Sequence, residues 1–347
     1  MLSRFPQCLS AALMAQFDEC GGGAKYQPPL TADMPKVRVP NSILDAVGNT
    51  PMVELKRIVP PGSARVLVKL EYCNPTGSMK DRVAKAMVAA AESDGRIRPG
   101  GTVVEYTGGS TGVSLGLVCA AKGLRLKIVF SDAFSEEKRR AMEAFGAEVE
   151  IVKSEHGKMN EQLFKNLVAA AQRLGKEPGH WFCDQLSNHD GAAGYHALAE
   201  EIWEQSGGKV DAFVQCVGTA HSIHGVTDAL WKHDPKAHIA AVEPAESAVL
   251  SGGPTGSHFI EGIGIGYIPP LWNPSRVNSI LSVSSEEAKS MCRRLAKEEA
   301  IFAGTSSGAN MVGALRLASR LGPKATVVTL MVDSGFRYLS TDLFRAP

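Results

Sequence analysis

From Asn41 onward, short apolar runs of strand length alternate with longer segments whose apolar residues recur at helical spacing. The pattern predicts strands at 66–70, 102–105, 126–130, 148–152, 212–216, 239–243 and 326–331. Helices are predicted at 80–93, 111–122, 136–145 and 160–174 in the first half. In the second half they are predicted at 195–205, 223–232, 285–297 and 308–321. Strands such as Ala212-Phe213-Val214-Gln215-Cys216 are mostly apolar, as burial on both faces requires. Such alternation predicts an α/β fold, doubly wound, with parallel sheets covered by helices on both faces. Ligands then bind beyond the carboxyl ends of strands, so the loops leading from a strand into a helix deserve inspection.

At 347 residues two domains are expected. Residues 1–40, with Gly21-Gly22-Gly23 and Pro28-Pro29, are expected to be a disordered extension. Their first fifteen residues carry one arginine, two serines and an apolar middle, but Asp18 and Glu19 soon follow. The expectation is a cytoplasmic protein, with mitochondrial import the lesser alternative. Basic and acidic residues balance at 37 and 36, which gives no reason to expect nucleic acid or an anionic membrane as partner. No apolar run is long enough to span a bilayer. Seven dispersed cysteines without a Cys-x-x-Cys pair suggest free thiols in a reducing compartment and no structural zinc.

Three strand-to-helix loops stand out. In the first, Asn74-Pro75-Thr76-Gly77 reads as a turn, Ser78 as an N-cap, and Lys80 falls in the first helical turn. A helix start disfavours cations. Lys80 is therefore either a solvated surface lysine or one with a lowered pKa that forms a Schiff base with a carbonyl cofactor. The second loop, Thr107-Gly108-Gly109-Ser110-Thr111-Gly112, is a tight turn or a carboxylate site at a helix start. The third, Val217-Gly218-Thr219-Ala220-His221-Ser222, suits a phosphate held by backbone donors but matches neither a Walker loop nor a dinucleotide fingerprint. Further on, Ser306 or Ser307 is either a helix cap or a hydroxyl aimed into the same cleft. Gln185, an exposed loop residue on the bland reading, otherwise offers an amide to a carboxylate.

In this order the pieces resemble the cysteine synthase and cystathionine β-synthase family, pyridoxal-phosphate enzymes of the second fold type. The strongest element is Asn74-Pro75-Thr76-Gly77-Ser78-Met79-Lys80-Asp81-Arg82, and Glu261-Gly262-Ile263-Gly264 with Ile268-Pro269 adds to it. The resemblance runs from Asn49-Thr50-Pro51-Met52-Val53 to Asp333-Ser334-Gly335-Phe336-Arg337-Tyr338-Leu339-Ser340. It implies pyridoxal 5′-phosphate in a cleft between two domains, as in the tryptophan synthase β fold. A smaller one would span 74–188, and a larger cofactor domain 41–73 with 189–347. It implies Lys80 as Schiff-base lysine and as base on the substrate α-proton. Gly218, Thr219, Ala220, His221 and Ser222 would surround the cofactor phosphate, and Ser306 would face the pyridine nitrogen. Thr107, Gly108, Ser110, Thr111 and Gln185 would surround the substrate carboxylate and the phenolic oxygen of the cofactor. A hydroxyl at the ring nitrogen moderates the electron sink, which favours expulsion of a β-leaving group. A homodimer is implied as well.

Two loops depart from the family. Its substrate loop usually reads Thr-Ser-Gly-Asn-Thr-Gly, whereas Gly108 and Ser110 stand here for the serine and the asparagine. Gly108 is expected to open space, which suits a larger or different amino acid or another nucleophile. The family phosphate loop usually reads Gly-Thr-Gly-Gly-Thr, and Ala220, His221 and Ser222 replace its last three residues. His221 is expected either to donate to phosphate or substrate or to point to solvent. Its spacing to His224 could suit a metal, but no acidic or cysteine partner is obvious, so no metal is expected. No haem-binding Cys/His pattern is evident in the extension, and no regulatory domain is expected.

The leading expectation is β-replacement on serine or an O-activated serine through an aminoacrylate, to which a thiol, sulfide or amine adds. The alternative is β-elimination by a serine or threonine dehydratase or a cysteine desulfhydrase. A third reading, a silent scaffold that binds cofactor or a partner protein, is opposed by intact Lys80 and Ser306.

Overall fold

A computed structural model describes residues 39, 41–155 and 161–345. The expectation of disorder over 1–40 therefore falls almost wholly outside the described residues. Eighteen principal elements follow in order among the described residues. They are β1 (Met52–Leu55), β2 (Arg65–Leu70), α1 (Lys80–Ser93), β3 (Thr102–Tyr106), α2 (Ser110–Lys122) and β4 (Arg125–Ser131). Next come α3 (Glu136–Ala144), β5 (Glu148–Val152), α4 (Glu161–Gly175), β6 (His180–Phe182), α5 (His196–Gln205) and β7 (Ala212–Cys216). The chain closes with α6 (His221–His233), β8 (His238–Pro244), β9 (Ser279–Val283), α7 (Ser285–Glu299), α8 (Thr305–Leu321) and β10 (Thr326–Met331).

The strands form two sheets. One has the order β1-β2-β10-β7-β8-β9 and the other β5-β4-β3-β6. The second sheet and its helices are thus inserted between β2 and β7 of the first. Every pairing is parallel except that of β1 with β2, which is antiparallel at the edge of the larger sheet. The expected parallel sheets are thus present, with one antiparallel edge pair where β1 reaches β2 through a short connection with no crossover helix. Sequence periodicity also missed β1, β6 and β9. All three lie at sheet edges, and in β1 and β9 only one residue of each is buried, so the apolar signal is weak.

The interior strands β3, β7 and β10 are buried along their whole length. Helix α1 turns Val83, Ala84, Met87, Val88 and Ala91 inward at helical spacing, all at most 1% exposed. Each large apolar chain so buried contributes about 1.5–3 kcal/mol.

A buried ionic brace fixes the start of α1. Arg82 donates to both oxygens of Glu71 (2.7 and 2.9 Å) and of Glu201 on α5 (2.8 Å each). Lys69 on β2 pairs with Glu201 at 2.7 Å. Thr50 and Asn74 donate to the Glu71 carboxylate at 2.7 and 3.0 Å. Two cations therefore face two carboxylates with further donors on the acids, the condition under which charge survives burial.

Candidate active site

The turn before Lys80 closes through the Gly77 N–H donating to the Asn74 carbonyl at 2.7 Å, with Gly77 at φ +75°, where glycine carries no Cβ penalty. Ser78 is not the N-cap. That position belongs to Met79, while the Ser78 hydroxyl accepts from the Lys80 N–H at 3.2 Å. Asp81 accepts from the Thr76 N–H and hydroxyl and from Ser114 on α2, at 2.8, 2.6 and 2.6 Å. Burial lowers the Lys80 ammonium to about 8, so the free amine is accessible near neutral pH.

The starts of α1 and α6 and the second turn of α8 meet on one buried amide. Gln215 of β7 directs its Nε2 at the Met79 sulfur (3.8 Å) and donates to the Ser222 hydroxyl (3.4 Å). Its Oε1 accepts from Asn310 of α8 at 3.1 Å, and Asn310 Oδ1 in turn accepts from the Cys216 N–H at 2.6 Å. The α1, α6 and α8 junctions are thus tied from below. Sequence reading passed over Gln215, although an amide in an otherwise apolar strand was its signal.

The loop 217–222 leads into α6, whose N-cap, Ala220, adopts φ +70° and makes no side-chain cap. The backbone N–H groups of this helix start are accordingly not consumed by a capping side chain. At Gly218 a Cβ would meet the Gly262 carbonyl oxygen at 2.4 Å, so only glycine allows the two loops to approach. His221 does not point to solvent. It is 2% exposed, with Nε2 at 2.7 Å from the Asn188 carbonyl and Nδ1 at 2.9 Å from the Thr219 hydroxyl. Burial lowers it to about 4. Both nitrogens are engaged, and His224 Nε2 accepts from the Asn273 N–H at 3.4 Å.

Ser306 and Ser307 are not caps either. The α8 N-cap is Gly304, with no side-chain cap, and both serines lie buried in the first turn. Ser307 accepts from the Val332 N–H at 2.8 Å, whereas the Ser306 carbonyl accepts from the Cys216 thiol at 3.5 Å.

On the smaller sheet, loop 107–112 opens α2 with Gly109 as an N-cap that makes no side-chain bond. The Thr107 hydroxyl accepts from the Gly109 N–H at 3.1 Å, and Thr111 donates to Gln185 Oε1 at 2.7 Å. Gln185 is half-buried, not exposed. Its N–H donates to Glu105 at 2.9 Å and its Nε2 to the Tyr106 carbonyl at 3.2 Å. Burial raises the Glu105 carboxyl to about 8, so it holds its proton at neutral pH. Gly108 does not open space. A Cβ there would lie 3.0–3.3 Å from the Phe134 ring, which occupies the room a side chain would need.

Further contacts gave no local signal in the sequence. Arg337, from the turn after β10, donates to the Ser110 hydroxyl at 2.9 Å and to the Thr76 carbonyl. Lys138 of α3 pairs with Glu261. Tyr338 donates to Asp333 Oδ2 at 2.9 Å, and burial raises the Asp333 carboxyl.

The family model described as pyridoxal-phosphate dependent enzyme matches residues 43–333. The chain belongs to this family. A cysteine synthase of Staphylococcus aureus is 41% identical over 307 residues, 88% of this chain and 97% of that protein. The crystal structure of a cysteine synthase from Entamoeba histolytica superimposes with a TM-score of 0.84 at 36% identity, covering 92% of this chain and 94% of that one. An O-acetylserine-dependent cystathionine β-synthase from Helicobacter pylori gives 0.81 at 32% identity, covering 88% and 99%. The pyridoxal-phosphate enzyme described here therefore has the second fold type and takes pyridoxal 5′-phosphate as cofactor. No helix among the described residues is long and apolar enough to cross a membrane.

Proposed function

We propose that this enzyme carries out β-replacement on an O-activated serine, adding sulfide or another small thiol or amine. Relatives of this activity support the reading. The observation that carries it is Lys80, a half-buried amine brought to about 8 by burial and standing at the junction that Gln215 ties to loop 217–222. The residues fit the cofactor. An uncapped helix start at 218–222 would hold its phosphate, Lys80 its carbonyl carbon, Ser306 its ring nitrogen and Ser110 its phenolic oxygen. Once bound, the cofactor supplies the electron sink that labilises the α-proton and the β-leaving group.

The chain's own groups then do the rest. Lys80, as free amine, takes the α-proton and returns one to the departing oxygen. The free N–H groups at the start of α2, with Thr107, Thr111 and Gln185 around them, receive the substrate carboxylate. Gly108 with Phe134 against it favours a side chain no larger than an activated serine. The smaller sheet is proposed to form a lobe of 74–188, and the larger sheet a lobe of 41–73 with 189–347, closing to exclude water. A homodimer in a reducing cytoplasmic compartment completes the proposal, in keeping with Cys73, Cys119, Cys183, Cys216 and Cys292 as free thiols.

The test adds O-acetylserine to the purified enzyme without a nucleophile and follows cofactor absorbance and pyruvate. A lasting spectral change without pyruvate, discharged by sulfide with formation of cysteine, is expected. Rapid pyruvate release would make the enzyme a β-eliminating lyase. Lys80→Ala should lower kcat by roughly 10²–10⁴.

A further inference from the structure

The hydrogen bonds of His221 determine its tautomer. The Asn188 carbonyl can only accept, so the nitrogen 2.7 Å away, Nε2, carries a proton. With the ring neutral, Nδ1 is an acceptor, and the Thr219 hydroxyl at 2.9 Å donates to it. The hydrogen of Thr219 is thus committed inward, and this hydroxyl offers an incoming anion only lone pairs. The loop reads Gly-Thr-Ala-His-Ser, and its hydroxyl is turned the wrong way for phosphate.

We propose that His221 and Thr219 form a relay that couples binding of a phosphate dianion at this loop to uptake of one proton. The proposal rests on reading 218–222 as the phosphate cradle. A proton from solvent joins Nδ1, the Nδ1–H then donates to Thr219 Oγ1, and the freed hydroxyl hydrogen turns to a phosphate oxygen. No covalent bond to phosphorus forms or breaks. Leaving the ring neutral would instead cost either the Thr219 donor or the buried Nδ1 its partner.

The surroundings explain why the ring charges only when an anion arrives. The titratable groups that face it are Lys80 from α1, His224 from its own helix and His189 from the 3-10 turn at 189–195, with Arg276 acting on His224. None of these is an acid, and the acids on the 189–195 turn and on α6, Asp190 and Asp228, are paired with Arg96 and Arg276. A dianion on the loop reverses the sign of that local field.

The test uses the full-length chain at pH 8, with imidazole nitrogen NMR on holoenzyme and on cofactor-free protein with and without inorganic phosphate. His221→Gln assigns the signal. Expected is a ring protonated at Nε2 alone without the anion, and at both nitrogens in the holoenzyme and with phosphate. Calorimetry in buffers of different ionisation heat should then show uptake of about one proton per phosphate bound. In His221→Gly, which restores the usual family residue and frees the Thr219 hydroxyl, phosphate should bind with complete loss of the extra proton uptake, leaving only the ion's own. An Nδ1 that stays unprotonated while the backbone signals of 218–222 move would overturn the relay and leave the cradle standing. So would uptake unchanged in His221→Gly. If neither phosphate nor cofactor moves those backbone signals, the cradle reading falls and the relay with it.

Discussion

Gly108 shows how one missing side chain is absorbed by its neighbour. The Phe134 ring, itself packed on Phe130 with centroids 5.2 Å apart, lies where a Cβ would go. Restoring the usual family serine by Gly108→Ser should therefore raise KM for the amino acid about tenfold, the effect of roughly 1–2 kcal/mol of overpacking. Gly108→Ser combined with Phe134→Leu should recover most of it. A single variant with unchanged KM would mean that the ring yields freely. Ala220 presents the converse. At φ +70° it occupies a conformation that disfavours a Cβ by roughly 1–2 kcal/mol, so Ala220→Gly should stabilise the protein by about 0.5–1 kcal/mol after glycine's entropy is counted. Urea unfolding of the two proteins decides it, and a lower midpoint in the glycine variant contradicts the strain.

Among the elements, the interior strands and the helices were legible because burial imposes period two or 3.6 on the sequence, and α1 begins and ends where its pattern said. The edge strands were not, because one face of β1 and β9 is left to solvent and β6 has only three residues. The candidate site was legible as separate loops, each with its own glycines and hydroxyls. What joins them was not. Gln215 to Ser222 and Met79, Arg337 to Ser110 and Thr76, and Lys138 to Glu261 mostly span more than a hundred residues and leave no spacing to read. The Arg82 brace is of the same kind, since its role was hidden inside the lysine motif. Arg82→Met should cost about 3–5 kcal/mol, because Glu71 and Glu201 are left facing each other. Arg82→Lys should rescue little of this, as an ammonium cannot serve both carboxylates in two-pronged fashion. A loss under 1 kcal/mol on urea unfolding would show that the brace is dispensable.

Across the whole molecule, buried titratable groups set the pH response. His221 and His224 are both lowered by burial to about 4, so between there and 6.5 the unfolded chain binds more protons than the folded one. Stability of the cofactor-free protein should accordingly fall as pH drops through this window, by up to about 3 kcal/mol for each histidine. Glu105 acts in the opposite sense. Raised to about 8, it keeps its proton in the fold, and its contribution is lost as pH climbs from 4.5 toward 8. Urea midpoints from pH 4 to 8 should pass through a maximum, and His221→Gln should flatten the acid side. An acid limb equally steep in that variant would remove His221 from the account.

The two sheets divide labour in a way that bears on how such a chain changes over time. The amide that ties α1, α6 and α8 belongs to the larger sheet, whereas Gly108, Ser110 and Phe134 belong to the smaller one. On the proposed reading of loop 107–112 as the substrate site, substitutions around Phe134 would retune which amino acid is accepted while the Gln215 tie beneath loop 217–222 is left untouched. On that reading, a new preference would need only a few exchanges around one aromatic ring.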